Sequence, residues 1–482
     1  MANKRKNEDI KVSFIGGNSF DVTGSMTLIE FKNDLGKKHK ILIDCGIFQS
    51  NNIFKDYLLN SQNFRFKATE ITYAFCEHLN GDHLLNFPKL YRSNCDADLI
   101  VPKGSYGIIN ELFKDSLKIN NKTLELLNKQ GKKVKPIFEA EDLDSTLEHI
   151  REFEINEIHK IDDSLSFRFT PSGHIFNATQ LELFITINNH TKTILATGDL
   201  GNITFGKKPF TEEFKPVVKC DMAIVETTYA MKTDRLNKKM RDKDLEKIKT
   251  AVFDIVDNEK GKLVFATFSF DRTQFLLSIL YDLFKDDEKF NISIILDSPL
   301  ATRLTKCFIN ELVGEEKEYL ENIMSWDKLK VIDSVDSSKL SVEDSSSAVV
   351  ISASGFMMGG RILKYLPKVL EDENSIICFM GYSSPDSLAG RIKTKKYKTI
   401  LIEGLEYKNK CKVIELRTFS SHMTHYDMLK YYSSFSSIDK ICLVHGDFDN
   451  KVKFADLLDE EYKKRCMSTK VYAISKDDVV YL

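Results

Sequence analysis

Residues 78–83 (HLNGDH) bring two imidazoles, one carboxylate and one carboxamide within six positions of one another. The apolar run at 71–75, directly before them, predicts a strand, so these side chains are expected on a tight turn at a strand end. Nitrogen and oxygen donors of this kind are ligands that Zn²⁺ takes in proteins. The segment is therefore predicted to hold divalent metal.

Three further candidate donors follow apolar strand patterns and have a glycine beside them, namely His174, Asp199 and His445. The ends of such strands are expected along one rim of a sheet, where small residues let backbone segments approach each other. One residue of this kind alone is more typical of a hydrogen-bonded surface turn. All of them in this order favour one metal site built from distant segments.

The elements that must position these donors change character along the chain. Up to residue 229 the pattern predicts short strands, with charged helical stretches at 106–127 and 140–153. Between 230 and 415 strands and helices alternate, which predicts a parallel sheet covered by helices. After 415 strands return with one helix, at 428–435. We therefore predict one domain (1–229 and 416–482) that a second domain (230–415) interrupts.

These motifs resemble the β-CASP family of metallo-β-lactamase-fold nucleases, and in particular its compact prokaryotic RNA-processing type. Residues 78–83 differ by one residue from the H-x-H-x-D-H loop of that superfamily. The other matching segments are residues 21–25 (DVTGS), 43–46 (IDCG), 221–229 (DMAIVETTY), 269–274 (SFDRTQ), 297–299 (DSP), 352–361 (SASGFMMGGR), 419–422 (FSSH) and His445. The resemblance implies an α/β fold: a metallo-β-lactamase αββα sandwich with an inserted β-CASP domain, whose parallel sheet is flanked by helices.

The resemblance also implies two zinc ions that share a bridging carboxylate. Carried over residue by residue, the first ion's ligands are His78, Asn80 and His174, the second ion's are Asp82, His83 and His445, and Asp199 bridges them. Two such ions lower the pKa of a shared water and neutralise both oxygens of an in-line phosphodiester displacement.

Three residues are predicted to take part in the reaction. Glu226 beside His422 would let that imidazole give a proton to the leaving oxygen as general acid. Asp82 is the third residue predicted to be catalytic. Asp44 is predicted to orient the metal-binding loop without touching metal. A plain buried turn aspartate is the open alternative for Asp44.

The inserted domain is expected to cap the site and to leave a slot between the domains for single-stranded RNA. In the resembled family, a histidine at the position of His445 accompanies RNA-cleaving members and a valine DNA-cleaving ones. Backbone N–H groups at a helix start, together with guanidinium groups, suit phosphate. The predicted substrate-binding residues are Arg272, Ser354, Gly355, Gly359, Gly360 and Arg361. Purely structural turn or packing roles stay open for them.

Asn80 stands where the superfamily has a metal-binding histidine. A carboxamide oxygen is a weaker donor to Zn²⁺ than imidazole, so the first zinc site is expected to be weak or empty. Three interpretations stay open: a one-metal or weakened ribonuclease, a two-metal enzyme with Asn80 as an oxygen ligand to a harder metal, and an impaired pseudonuclease that binds RNA or an active paralogue. Hydrolysis of a small molecule fits the long insert less well.

Smaller departures from the family pattern are Glu77 for threonine, Asn177 for glycine, Ala230 for glycine and Thr424 for aspartate. The change at Thr424 is expected to loosen the orientation of His422. His425 is near enough in sequence to replace His422, but it is predicted to be a surface residue.

Composition limits the compartment and the partners. The net charge of −2 gives no global basic footprint, so RNA must bind in a local groove. No apolar run is long enough to span a bilayer, and the nine cysteines form no CxxC pair. With no apolar signal core at the start, we expect a cytoplasmic protein with reduced thiols and no membrane partner. A homodimer or a paralogue partner stays open.

Overall fold

The computed structural model describes residues 9–17, 22–50, 52–381, 383–385 and 387–482. Asp21, the first residue of the DVTGS motif, lies outside the described residues. The chain forms two compact units, of which the first comprises Met1–Arg235 and Ser421–Leu482 and the second Leu236–Ser420.

The first part of unit 1 contains eleven strands and five α-helices among its described residues. They are β1 (Ile10–Phe14), β2 (Thr27–Lys32), β3 (Lys38–Ile43), α1 (Ile53–Ser61), β4 (Tyr73–Phe75), α2 (Gly81–Leu84), α3 (Phe87–Arg92), β5 (Asp98–Pro102), α4 (Tyr106–Lys129), α5 (Ala140–Glu148), β6 (Ile150–Phe153), β7 (His159–Asp162), β8 (Leu165–Pro171), β9 (Thr179–Ile187), β10 (His190–Ala196) and β11 (Met222–Glu226).

Unit 2 and the returning part of unit 1 supply the remaining elements. Unit 2 contains α6 (Lys238–Asp257), β12 (Lys262–Ala266), α7 (Arg272–Phe284), β13 (Ser293–Asp297), α8 (Pro299–Glu311), α9 (Gly314–Met324), β14 (Leu329–Val331), α10 (Val335–Glu343), β15 (Ala348–Ser352), α11 (Ile362–Glu371), β16 (Ile376–Phe379), α12 (Leu388–Thr394), β17 (Thr399–Ile402), β18 (Leu405–Lys408) and β19 (Lys412–Glu415). Unit 1 resumes with α13 (His425–Ser433), β20 (Lys440–Val444), α14 (Phe448–Lys464), β21 (Lys470–Ala473) and β22 (Val479–Tyr481).

Unit 1 is built on two seven-stranded sheets, ordered β22-β1-β2-β3-β4-β5-β6 and β21-β20-β11-β10-β9-β8-β7. Period-two burial along strands such as β1 gives each sheet an apolar inner face. These faces pack together in one core, where the Phe75 ring meets the Phe167 ring edge to face at 5.1 Å. Helices α13 and α14 cover the outer face of the second sheet. The layers follow the αββα order.

Unit 2 centres on a parallel six-stranded sheet, ordered β14-β13-β15-β12-β16-β19. Strand β12 is buried along its whole length, as expected for a parallel strand covered on both faces. Helix α11 packs on one face through Ile362, Tyr365 and Leu366. Nowhere in the described chain is there a helix with the length and apolar character needed to cross a membrane.

Two sequence predictions need correction. Residues 150–153 were expected to be helical but form β6, which pairs in parallel with β5. Sheet pairing overrides helical propensity there, because the edge of the first sheet is open to one more strand. The 17-residue helix α14 was not predicted. Its buried Phe454, Leu458 and Tyr462 recur every four residues, a helical spacing that the surrounding charged residues obscure.

Candidate metal centre

The HLNGDH segment forms the loop after β4 and the single-turn helix α2. Asn80 stands at the N-terminal end of α2, and its carbonyl accepts a hydrogen bond from the His83 N–H at 3.0 Å. Asp82 and His83 lie within the helical turn. This turn sets side chains of different chemistry side by side, as the sequence predicts.

Backbone segments approach so closely here that two positions exclude any side chain. A Cβ on Gly46 would lie 1.6 Å from the carbonyl oxygen of Asp82, and one on Gly201 would lie 2.0 Å from that of Gly173. Glycine therefore lets the loop after β3 touch the Asp82 turn, and lets the Asp199 and His174 loops touch each other.

Strand ends of the second sheet supply the other donors. His174 follows β8, Asp199 follows β10, Glu226 ends β11 and His445 follows β20. Strands β10, β11 and β20 are parallel neighbours, and β8 runs the same way because β9 is antiparallel to both β8 and β10. Their carboxyl ends therefore meet at one edge.

Asp199 lies at the centre of the cluster. Its Oδ2 lies 3.6 Å from Nε2 of His78 and 3.6 Å from Nε2 of His174. Its Oδ1 lies 3.7 Å from Nε2 of His83 and 3.3 Å from Nδ1 of His445. The Asp82 Oδ2 is 3.3 Å from Nε2 of His445. The structure thus brings the seven predicted ligand residues into one cluster.

The donor set fits divalent cations. Among the described residues, the buried atoms His78 Nε2, His83 Nε2 and Asp199 Oδ1 have no hydrogen-bond partner. Buried polar atoms are normally satisfied, so donors without a partner at this position fit a bound cation. Ligands about 2.0–2.1 Å from a tetrahedral ion are roughly 3.3 Å apart, close to the spacings around Asp199.

Carboxylates dominate the half of the cluster around His83 and His445. Burial alone would lower the pKa of His445, but Asp199 and Asp82 outweigh it and raise that pKa to about 10. The pKa of His83 is also raised, since Asp44 and Asp199 outweigh its burial. Burial opposes the charge of Asp199 too, yet the surrounding imidazoles hold its pKa well below the ordinary value.

The half around His78 and His174 behaves in the opposite way. Burial, helped by His83, lowers the pKa of His78. Burial, helped by His422, lowers the pKa of His174 well below its ordinary value. Both imidazoles are therefore neutral at pH 7, which is the form that binds metal.

Asn80 points its amide at the same half. Its Nδ2 lies 3.3 Å from Nε2 of His174. An amide nitrogen only donates, so this contact uses the imidazole lone pair that a metal would need. With Oδ1 and Nδ2 exchanged by rotation of the amide, an oxygen donor would face the cluster instead.

Asp44 connects several parts of the cluster. One of its oxygens, Oδ2, lies 2.6 Å from Nδ1 of His83 and accepts the Ser25 hydroxyl at 3.1 Å. The other, Oδ1, accepts the backbone N–H of Glu77 at 3.2 Å. This arrangement fixes the ring of His83 and leaves Nε2 facing Asp199.

Glu226 and His422 lie beside Asp199. The Glu226 Oε1 is 3.6 Å from Nδ1 of His422 and accepts the Leu200 N–H at 2.8 Å. Its Oε2 accepts the Thr228 N–H at 3.0 Å. The main chain therefore holds the carboxylate in place beside the imidazole.

Two contributors to the cluster were not predicted from the sequence. The hydroxyl of Thr228 lies 2.9 Å from Nδ1 of His445, and its position two residues after Glu226 was the available signal. Glu77 was noted only as a departure from the family. It is buried in the same cluster, and burial together with Asp44 and Asp199 raises its pKa well above the ordinary value.

The predicted substrate-binding residues all belong to unit 2. The Arg361 guanidinium pairs with the buried Asp297 carboxylate at 2.5 Å, and the Arg272 guanidinium donates to the main-chain carbonyls of Met380 and Phe419. The Ser354 hydroxyl donates to the Gly359 carbonyl at 3.3 Å. Gly355 and Gly360 lie in the same loop as Ser354 and Gly359, between β15 and α11.

His425 is a correction. It was predicted to lie on the surface, but it is buried at the first turn of α13, where Nδ1 contacts the Ala230 carbonyl. The ring packs beside Phe454 of α14, the helix that was not predicted from the sequence. Thr424 caps this helix by accepting the Asp427 N–H, and Asn177 donates to the Lys103 carbonyl at 2.8 Å.

Two family comparisons match the second half of the chain. Residues 273–392 match the Beta-Casp domain family. Residues 406–469 match the family described as Zn-dependent metallo-hydrolase RNA specificity domain. The α/β fold predicted from the sequence, with its inserted β-CASP domain, is confirmed.

Curated relatives match over most of the chain. A ribonuclease of Thermus thermophilus is 26% identical over 449 residues, which cover 92% of this chain and 94% of the relative. An RNase J-like protein of Methanocaldococcus jannaschii is 23% identical and covers 87% of this chain and 90% of the relative. The transcription termination factor FttA of the same organism is 23% identical and covers 95% and 70%.

One solved structure shares the fold. It is a protein of unknown function from Enterococcus faecalis V583, with a TM-score of 0.53 and 12% identity, covering 98% of this chain and 100% of that one.

Proposed function

The chain belongs to the β-CASP family of metallo-β-lactamase-fold proteins, and on that premise we propose that it is a metal-dependent ribonuclease acting on single-stranded RNA. The observation that carries the proposal is the convergence of four imidazoles on the Asp199 carboxylate, with donor atoms left open toward one another. The RNA-specificity family over residues 406–469 and the relatives named as ribonucleases support RNA as the substrate.

The proposed metal is zinc. His83, His445, Asp82 and Asp199 would hold one ion, and His78, His174 and Asp199 the other. When bound, such ions supply Lewis acidity and a water of lowered pKa at neutral pH. The zinc-dependent description of the family matched at residues 406–469 supports this choice of metal.

The chain's own residues orient the metal-binding imidazoles and supply a proton to the leaving oxygen. Asp44 fixes the tautomer and the angle of the His83 ring, and Thr228 positions His445. Glu226, held by two main-chain N–H groups, orients the imidazole of His422. His422 then gives its proton to the leaving ribose oxygen as general acid.

Asn80 weakens one half of this centre. In the orientation seen, its amide N–H competes for the lone pair of His174, so an ion there would have His78, Asp199 and no third strong ligand. We therefore favour one tight ion and one weak ion. An exchanged amide would make Asn80 an oxygen ligand and would favour a harder metal such as Mn²⁺.

A pseudonuclease is the second candidate, and the same contact between Asn80 and His174 favours it. In that role the chain would bind RNA, or pair with an active paralogue, without cutting. The survival of Asp82, His83, Asp199 and His445 as one cluster favours the enzyme.

Cleavage of a labelled single-stranded RNA by purified protein tests the proposal. We expect Asp199→Ala and His83→Ala to abolish cleavage, because each removes a ligand of the proposed tight ion. His190→Ala is the matched control, since His190 is exposed at the start of β10. Equal cleavage by wild type and Asp199→Ala would show that the activity comes from a contaminant and would leave the pseudonuclease.

A further inference from the structure

The carboxyl edge of the unit 2 sheet contains a topological switch point. From β12 the chain passes through α7 to β13, two places toward one edge of the sheet. From β15, the neighbour of β12, it passes through α11 to β16, two places toward the other edge. Because these connections leave in opposite directions, a crevice opens between the two strand ends, and open α/β sheets bind ligands there.

Two exposed aromatic rings stand at this crevice. Phe268 follows β12 and is 43% exposed, and Phe356 follows β15 and is 38% exposed. Their centroids are 5.0 Å apart and their planes meet at 84°. An edge-to-face pair of this kind leaves a ring face open to a third planar group.

The loop is built to keep Phe356 outside. Met357, the next residue, is fully buried in the core of unit 2 and has a positive φ of 58°. This anchor turns its neighbours Phe356 and Met358 outward, and Met358 is also exposed. On the other side, the Phe268 ring lies against Gly355, where a Cβ would come within 3.2 Å of it.

A glycine leaves the backbone of the same loop open. A Cβ on Gly359 would meet no atom within 4 Å, so the backbone there is open to a ligand. Two rings and one methionine are far fewer than the roughly 20–30 residues that a stable protein interface uses on each side. Aromatic side chains beside approachable backbone are typical of proteins that stack unpaired bases.

We propose that the exposed ring pair of Phe268 and Phe356 at this crevice is a stacking subsite for one unpaired nucleobase of single-stranded RNA. The inference deepens the proposed ribonuclease function and rests on it. Stacking requires only a π-face, so the subsite would accept any base and would reject a base held in a duplex.

Binding can be measured without cleavage in full-length protein stripped of metal by EDTA. The probe is a single-stranded RNA oligonucleotide carrying 2-aminopurine, whose fluorescence falls when it stacks on a ring. We expect Phe268→Ala and Phe356→Ala each to raise the Kd about tenfold and to weaken the quenching. Phe268→Tyr should bind as wild type does, and Phe268→Leu, which keeps apolar bulk, should fail like Phe268→Ala.

The matched control is Tyr397→Ala, another exposed aromatic residue of unit 2, which should leave the Kd unchanged. An abasic oligonucleotide should bind wild type and Phe268→Ala equally. A free mononucleotide whose Kd depends on Phe268 would support the subsite as well. Phe268→Leu binding as tightly as Phe268→Tyr, or an equal loss with abasic RNA, would overturn the stacking proposal.

Cleavage with metal present separates this proposal from the ribonuclease itself. The stacking subsite predicts a higher KM for Phe268→Ala with kcat nearly unchanged. If Phe268→Ala cleaves RNA with an unchanged KM, the stacking proposal is contradicted and the ribonuclease proposal stands. If RNA binding depends on Phe268 but the wild type does not cleave RNA, the ribonuclease proposal is contradicted and the stacking proposal stands.

Discussion

Asp199 faces two different half-sites. On one side, His83 and His445 each have a second partner that fixes the ring, Asp44 at 2.6 Å and Thr228 at 2.9 Å. On the other, Nδ1 of His78 and Nδ1 of His174 have no hydrogen-bond partner among the described residues. The first half is therefore preorganised and the second is not.

The electrostatics follow the same division. Carboxylates raise the pKa values of His83 and His445, while burial lowers those of His78 and His174. A field that holds protons on imidazoles also attracts cations, because both carry positive charge. We therefore expect affinity for metal to be concentrated in the half around His83 and His445.

Removing one ligand from each half should give the largest difference. We expect His83→Ala to lose the tightly bound ion, with a loss of affinity above the 10–100-fold that outer partners cost. His78→Ala should keep about one ion per chain, because it alters only the weak half. Metal content measured by mass spectrometry after gel filtration checks both, with His190→Ala as control. Equal losses in the two variants would break the asymmetry.

Asp44 tests whether preorganisation is the cause. Asp44→Asn keeps the shape but weakens the charge-assisted contact with Nδ1 of His83, so we expect roughly 10–100-fold weaker metal binding. Asp163→Asn, at an almost fully exposed carboxylate, is the control. Calorimetric titration with Zn²⁺ measures the change. An unchanged Zn²⁺ affinity of Asp44→Asn would mean that Asp44 is only a buried turn aspartate.

Single residues show which features of the site could be predicted from the sequence. His174, Asp199 and His445 were predicted from glycine neighbours at strand ends, because backbone crowding leaves a local signal. Asn80 and His174 were predicted at the same ion, but the direction of the Asn80 amide was not, since a side-chain rotamer depends on a segment 94 residues away. Phe268 and Phe356 were equally hidden, because exposure of an aromatic side chain is set by the three-dimensional fold.

The same limit explains the two corrected elements. Residues 150–153 become a strand only because β5 offers a free edge, which local sequence does not reveal. His425 is buried only because α14, unpredicted, packs over it through Phe454. Patterns within one element could be predicted, and so could the metal cluster, whose donors match a family motif. Other contacts between elements distant in sequence could not.

The pH dependence of metal affinity should also distinguish the two half-sites. In the metal-free protein the pKa of His445 is about 10, so between pH 7 and 9 this imidazole carries a proton that a metal must displace. Affinity of the tight site should therefore rise with pH, about tenfold per pH unit for one released proton. His78 and His174 are already neutral there, so the weak site should show no such dependence. Zinc titrations at pH 7, 8 and 9 measure both slopes, and a flat profile at the tight site would contradict the assignment.

Asn80→His offers the finest test, because it should make the halves alike. An imidazole at position 80 would add a ligand to His78 and Asp199 and end the competition for the lone pair of His174, so stoichiometry should move from about one ion per chain toward two. Asn80→Ala is the matched comparison, since it frees His174 as third ligand without adding a donor at position 80, and it should raise the stoichiometry less than Asn80→His does. If both variants gain the second ion, the amide N–H was the obstacle. If neither does, the weakness of this half lies in the unsupported rings of His78 and His174, and the remedy would be a hydrogen-bond acceptor beside Nδ1.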